Sequence, residues 1–128
     1  MSAQARGTFE VTITPQPPDG SAMGRFDLAK RWLGDLVATS SGLMLSAGDP
    51  ASGSAGYVAL ELVDGELGGR AGSFAFQQLG AMRSGEPELR YEVVPGSGAG
   101  DLAGLAGTLE LTIDDDGTHR YDLTYTLA

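Results

Sequence analysis

Three polar side chains stand where strand alternation calls for apolar ones, and these are the residues best placed to do chemistry. Lys30, the only lysine, falls on the apolar face of an alternating run, Arg25 to Leu33, beside Phe26, Leu28 and Trp32. Glu61 interrupts a second apolar run, and Gln78 shares a face with Phe74 and Phe76. A lysine on an inner face must find a carboxylate, reach water in a cavity, or give up its proton more readily through desolvation. With Glu61 as its partner it forms an acid-base pair, so Lys30 and Glu61 are the candidate catalytic residues. Gln78 would orient a ligand, with Trp32, Met44, Phe74, Phe76, Tyr91, Tyr121 and Tyr125 as walls of a mainly apolar pocket. The alternative is structural: an ion pair closing one end of the fold, or a lysine whose ammonium reaches the rim.

Other chemistries lack support. The absence of cysteine excludes disulfides, thiolate nucleophiles and cysteine-ligated metals. His119 is the sole histidine and cannot anchor a histidine-rich metal site alone. No strand-Gly-x-Ser-x-Gly-helix elbow supports a serine triad. Gly98-x-Gly100-x-x-Ala103 formally fits a dinucleotide fingerprint, but the glycines at 104 and 107 leave no room for the helix that motif requires. Asp114-Asp115-Asp116-Gly117 lacks the downstream glutamate of a calcium loop and reads as a hairpin turn. No metal and no cofactor are expected. The 17 acidic against 8 basic residues, a net charge of -9, repel a phosphate backbone, so nucleic acid is not an expected partner.

The elements that must position these residues are strands. Ala5 to Thr14 alternates, with Ala5, Gly7, Phe9, Val11 and Ile13 on one face, and Pro15 to Gly20 ends it. Arg25 to Leu33 follows, then Leu36 to Ala47, where Ser40-Ser41-Gly42 suggests a bulge or sharp bend. Tyr57 to Val63 and Ser73 to Leu79 form a central hairpin joined by Asp64-Gly65 and a glycine-rich segment. The first arm is apolar on both faces, because Val58, Leu60 and Leu62 oppose Tyr57, Ala59 and Val63, and its second face invites another subunit. Glu88 to Pro95 turns Leu89, Tyr91 and Val93 inward, and one turn of helix is expected at Asp101 to Leu105. Gly107 to Asp114 and Thr118 to Leu127 close the chain as a hairpin. About eight strands and no long amphipathic helix predict a single all-β domain over residues 1–128, and the 20 glycines favour an antiparallel barrel over a sandwich.

The runs GTFEVTITPQP, GSAGYVALE, GSFAFQQLG, VVPGSGAGDLAGLAG and HRYDLTYTL, with the lysine strand, together resemble a family of small bacterial proteins classed as a domain of unknown function. Its fold is similar to that of allene oxide cyclase. The resemblance spans nearly the whole chain and implies an eight-stranded antiparallel β-barrel, often assembled into oligomers. Many members of that family carry histidine where this chain has Gln78, so a role needing an imidazole there does not carry over.

The resulting expectation is a barrel enclosing a small apolar ligand, acting as a binding protein or a cofactor-free isomerase or cyclase. The alternative is a non-enzymatic, oligomeric structural or interaction protein with a filled barrel. No apolar run approaches the roughly 18 residues of a membrane span, and no signal peptide precedes the first strand, so a cytoplasmic location is expected. The doubly apolar strand Val58 to Leu62 and the resemblance make a homo-oligomer the expected assembly.

Overall fold

In the computed structural model, which describes residues 2–17 and 19–127, alternating sequence becomes strand almost throughout. The strands are β1 (Ala3–Pro15), β2 (Gly24–Gly34), β3 (Leu36–Asp49), β4 (Ser54–Leu67), β5 (Arg70–Arg83), β6 (Glu86–Val93), β7 (Ala99–Gly100), β8 (Ala106–Ile113) and β9 (His119–Thr126). Eight of them close a barrel in the order β1, β2, β3, β4, β5, β6, β8, β9, each antiparallel to its neighbours, with β9 returning to β1. The two-residue β7 adds to the start of β5. The expected eight-stranded antiparallel barrel is therefore the architecture found. Among the described residues no helix is long and apolar enough to cross a membrane.

The side-chain period of two decides which residues enter the barrel. Phe9, Leu28, Lys30, Trp32, Glu61, Val63, Phe74, Phe76, Gln78, Tyr91, Tyr121 and Leu123 all point inward and are buried. The loop between β6 and β8 then closes one end, because Leu102 and Leu105 fold into the core with Leu36, Leu67 and Leu123. The expected turn of helix in that loop is instead a pair of tighter turns. Leu102 N–H donates to Ala99 O at 3.2 Å and Leu105 N–H to Leu102 O at 3.1 Å. Plugging matters at this seam, since β6 and β8 share only one paired position, Glu92 with Thr108.

Two local expectations are corrected. Asp64-Gly65 is not the hairpin turn: both residues are paired inside the β4–β5 ladder, with Ser73 and Gly72. The chain reverses at Gly68-Gly69, where φ values of 58° and 83° suit a two-residue turn, and burial of Leu67 draws the strand on to that point. The bulge at Ser40-Ser41-Gly42 is also absent, since Ser40, Ser41 and Gly42 pair without a break with Lys30, Ala29 and Leu28. Gly42 marks a close approach instead. The proline-rich stop after β1 is observed, with Gln16 N–H donating to Arg25 O at 2.8 Å, while Pro18 lies outside the described residues.

A Cβ at Gly42 would sit 2.0 Å from Leu60 O and 2.8 Å from the Glu61 Cα, so strand β3 must move before any side chain fits. Gly42→Ala is expected to lower unfolding stability by roughly 1–3 kcal/mol, the usual cost of overpacking. Urea denaturation checks this, and an unchanged midpoint would contradict the close approach.

Candidate functional site

Lys30, Glu61 and Gln78 come from β2, β4 and β5, yet their side chains meet inside the barrel. Lys30 Nζ donates to Glu61 Oε1 at 2.8 Å and to the Tyr91 hydroxyl at 3.0 Å. Tyr91 in turn donates to the same Glu61 oxygen at 2.5 Å, and Gln78 Nε2 donates to it at 2.9 Å. The other carboxylate oxygen accepts from Ser40 Oγ at 3.1 Å, while Trp32 Nε1 donates to Ser40 Oγ at 3.0 Å. Tyr57 completes the network by donating to Gln78 Oε1 at 2.9 Å. Glu61 is 1% exposed, so its four donors replace the water it has lost. The Lys30 ammonium also lies 4.8 Å from the ring centre of Phe9, 5.2 Å from Tyr91 and 5.5 Å from Trp32. Such cation–ring contacts contribute roughly 0.5–2 kcal/mol each, more where water is excluded.

Burial governs the proton affinities. It lowers the Lys30 pKa below the ordinary 10.5, and the charge and hydrogen bond of Glu61 hold back part of that fall. Burial, the Glu61 charge and the bond to Glu61 raise the Tyr91 phenol well above 10.0. Tyr57 is raised in the same way, by burial first and then by the Glu61 charge.

The cluster sits beneath an open end. Ile13, Leu89 and Ile113 keep the inward parity of their strands but are 50%, 42% and 58% exposed. At this end, the mouth, the apolar side chains on the β1, β6 and β8 side are open to water, while Leu28 and Ala59 are buried and Met44 and Leu111 half-buried. Tyr57 forms part of its wall. A Cβ at Gly80 would lie 2.1 Å from the Tyr57 ring, so the glycine leaves room for the ring to lie across β5 and reach Gln78. His119 is half-buried near the same end, its ring centre 5.0 Å from that of Phe9.

The aromatic residues expected as pocket walls divide. Tyr91 is a member of the polar cluster, and Met44 stands at the mouth. Trp32, Phe74 and Phe76 pack against one another below the cluster as core. Tyr121 is a clamp: its hydroxyl accepts from Leu36 N–H at 2.9 Å and donates to Leu33 O at 2.9 Å, tying down the β2–β3 turn. Tyr125 packs against the core near the closed end, where its hydroxyl would lie 3.1 Å from a Cβ at Gly68. Sequence reasoning missed Ser40 and Tyr57. Ser40 shares inward parity with Leu36 and Ala38, the signal that would have found it. Among the described residues no three acidic or histidine side chains converge to hold a metal.

Removing one charge strands the other. Lys30→Met is expected to cost about 3–5 kcal/mol, and Lys30→Met with Glu61→Gln less than that single change; a double-mutant cycle by urea denaturation checks this, and additive losses would contradict the pair. The Tyr91 phenol gives a pH signature. The unfolded chain ionises its tyrosines near pH 10.0 while the native chain keeps the Tyr91 proton, so this stabilisation is complete below pH 10.0 and lost above it. Lys30 has the opposite sign, because the native chain releases its proton before the unfolded chain does at 10.5. Denaturation midpoints on either side of pH 10.0 are expected to fall less steeply with pH in Tyr91→Phe than in the unchanged protein.

The comparisons with known proteins agree with this fold. A family model described as protein of unknown function (DUF3224) matches residues 5–125. A crystal structure of a protein of unknown function from the DUF3224 family, from Shewanella oneidensis MR-1, is 42% identical. The match covers 100% of this chain and 98% of that one, with a TM-score of 0.93. No curated protein matches. Sequence and architecture thus agree, and the chain belongs to the DUF3224 family of proteins of unknown function.

Proposed function

We propose that the open end of the barrel receives a small, mainly apolar molecule whose one polar group, a carbonyl, hydroxyl or epoxide oxygen, settles on the polar layer. The observation that carries this reading is that exposed, inward-facing Ile13 and Leu89 lie one inward step along their strands beyond the positions of the buried Lys30–Glu61 pair and Tyr91, with Ile113 exposed at the same end. Apolar side chains left open to water toward a barrel lumen gain by covering, and a few polar groups at the base select which molecule covers them.

In this reading Lys30, Gln78 and Tyr57 face the ligand, and Glu61 acts mainly through Lys30 and Tyr91, which it holds. The ammonium of Lys30 stabilises negative charge developing on the ligand oxygen, and the low-dielectric surroundings strengthen that effect. Proton exchange between Lys30 and Glu61 then supplies acid and base for an isomerisation or cyclisation without a cofactor. The sequence resemblance to a family whose fold is similar to allene oxide cyclase suggests this class of reaction, by analogy of fold alone. A cytoplasmic setting belongs to the same reading.

A second reading is favoured by one observation, that side chains fill the barrel below the polar layer: Trp32, Leu36, Phe76 and Leu123 are fully buried. Under it the cluster only fixes the register of the strands, and the protein is an oligomeric structural or interaction protein.

Methyl-resolved NMR separates the two. Titration with a medium-chain methyl ketone, and in parallel with a medium-chain fatty acid, is expected to shift the methyl signals of Ile13, Met44, Leu89 and Ile113. Ile113→Arg is expected to weaken binding about tenfold or more, each decade being about 1.4 kcal/mol. Stability should change little, because that side chain is already exposed. Titrations that leave the mouth methyls unmoved would favour the second reading.

A further inference from the structure

The outer face of β2 to β6 carries a pattern that a ligand inside the barrel does not explain. The ladder places Arg25, Leu45, Val58, Leu79 and Arg90 side by side in one row across the five strands. The next row, one step along the strands, reads Asp27, Leu43, Leu60, Gln77 and Glu92. All these residues have outward parity. Leu43, Val58, Leu60, Leu62 and Leu79 are between 49% and 70% exposed, and they lie in an open groove of about 1070 Å³. A contiguous patch of that kind marks an interaction surface.

The charges at its two borders decide the partner. Each border carries one basic and one acidic residue, Arg25 with Asp27 on β2 and Arg90 with Glu92 on β6. The two rows have opposite signs at both ends. We infer that this face binds a second copy of the chain about a two-fold axis running across the strands, between the rows. That operation lays each row on the other row of the second copy. Arg25 then meets Asp27 of the second copy, Arg90 meets its Glu92, and Val58 and Leu45 meet its Leu60 and Leu43. A two-fold axis along the strands would instead set Arg25 against Arg90 and Asp27 against Glu92, with like charges opposed.

The same pattern solves a problem of approach. Two copies at a net charge of -9 repel each other, and here the four border charges cancel. Their present partners cost little to exchange. Arg25 pairs with Asp19 at 3.3 Å in the open, and Arg90 pairs with half-buried Glu92 at 3.5 Å, while Asp27 and Glu92 also accept from Gln16 and Gln77. Although the strands belong to a closed barrel, Arg25, Asp27, Arg90 and Glu92 all line the one groove, whose centre holds six large apolar side chains.

Sedimentation velocity at micromolar concentration tests this. The unchanged protein is expected to be a dimer, and Leu60→Arg a folded monomer, since that side chain is on the outside. Arg90→Glu and Glu92→Arg are each expected to raise the dissociation constant roughly tenfold or more, and the two together to restore it, because the swap re-forms both pairs. A monomeric unchanged protein, a dimer that persists in Leu60→Arg, or a double swap weaker than either single one would overturn the proposal. Binding of the monomer to anionic or neutral lipid vesicles through Leu60 would overturn it in favour of a membrane surface. The result is separate from ligand binding, since these residues face away from the barrel interior.

Discussion

The ion pair of Lys30 and Glu61 is the interaction on which the interior depends. Two charges cannot stay buried unless nearly every hydrogen-bonding position is matched, and here five strands contribute to the match. β2 brings Lys30 and Trp32, β3 brings Ser40, β4 brings Glu61 and Tyr57, and β5 and β6 add Gln78 and Tyr91. A slip of one residue in any of these strands would turn its polar group outward and leave a charge or donor without a partner. The pair therefore acts as a register lock for half of the barrel.

This lock also divides the barrel along its axis. Below it the lumen is aromatic and aliphatic core, sealed by Leu102 and Leu105 where the β6–β8 seam is thinnest. Above it Leu28 and Ala59 are still buried, but inward-facing Ile13, Leu89 and Ile113 meet water. The polar layer thus marks the boundary between the part of the fold that holds shape and the part that is open. Gly80 and Tyr57 show how the boundary is built, because a missing side chain on one strand makes space for a ring from the next.

Much of this was legible in the sequence, for physical reasons that also explain the gaps. Strand parity couples every other residue, so the inward placement of Lys30, Gln78 and Tyr91 followed from counting along each run, whereas β4 is apolar on both faces and Glu61 was placed only as a possible partner for Lys30. Whether they touch depends on register and coiling between strands, which no single run contains. Ser40 was hidden by its neighbours, because Ser-Ser-Gly reads as a bend by composition even where the ladder is continuous. Asp64-Gly65 is a strong local turn signal that lost to the burial of Leu67 and to the better turn at Gly68-Gly69. The roles of Trp32, Phe76 and Tyr121 were ambiguous for a different reason. Inward aromatic residues line an open lumen or fill a closed one, and the loop at 94–105 decides which.

Because Lys30 is the only lysine, selective isotope labelling gives a single side-chain ammonium signal, and its behaviour bears directly on the buried pair. Nitrogen-detected NMR of that group should show an ammonium whose protons exchange slowly with water, and which loses its charge below the ordinary value of 10.5. Glu61→Gln should abolish the slow exchange. A signal with fast exchange, an ordinary titration and no response to Glu61→Gln would contradict the account, because Lys30 would then stand in water, apart from the carboxylate that organises the interior.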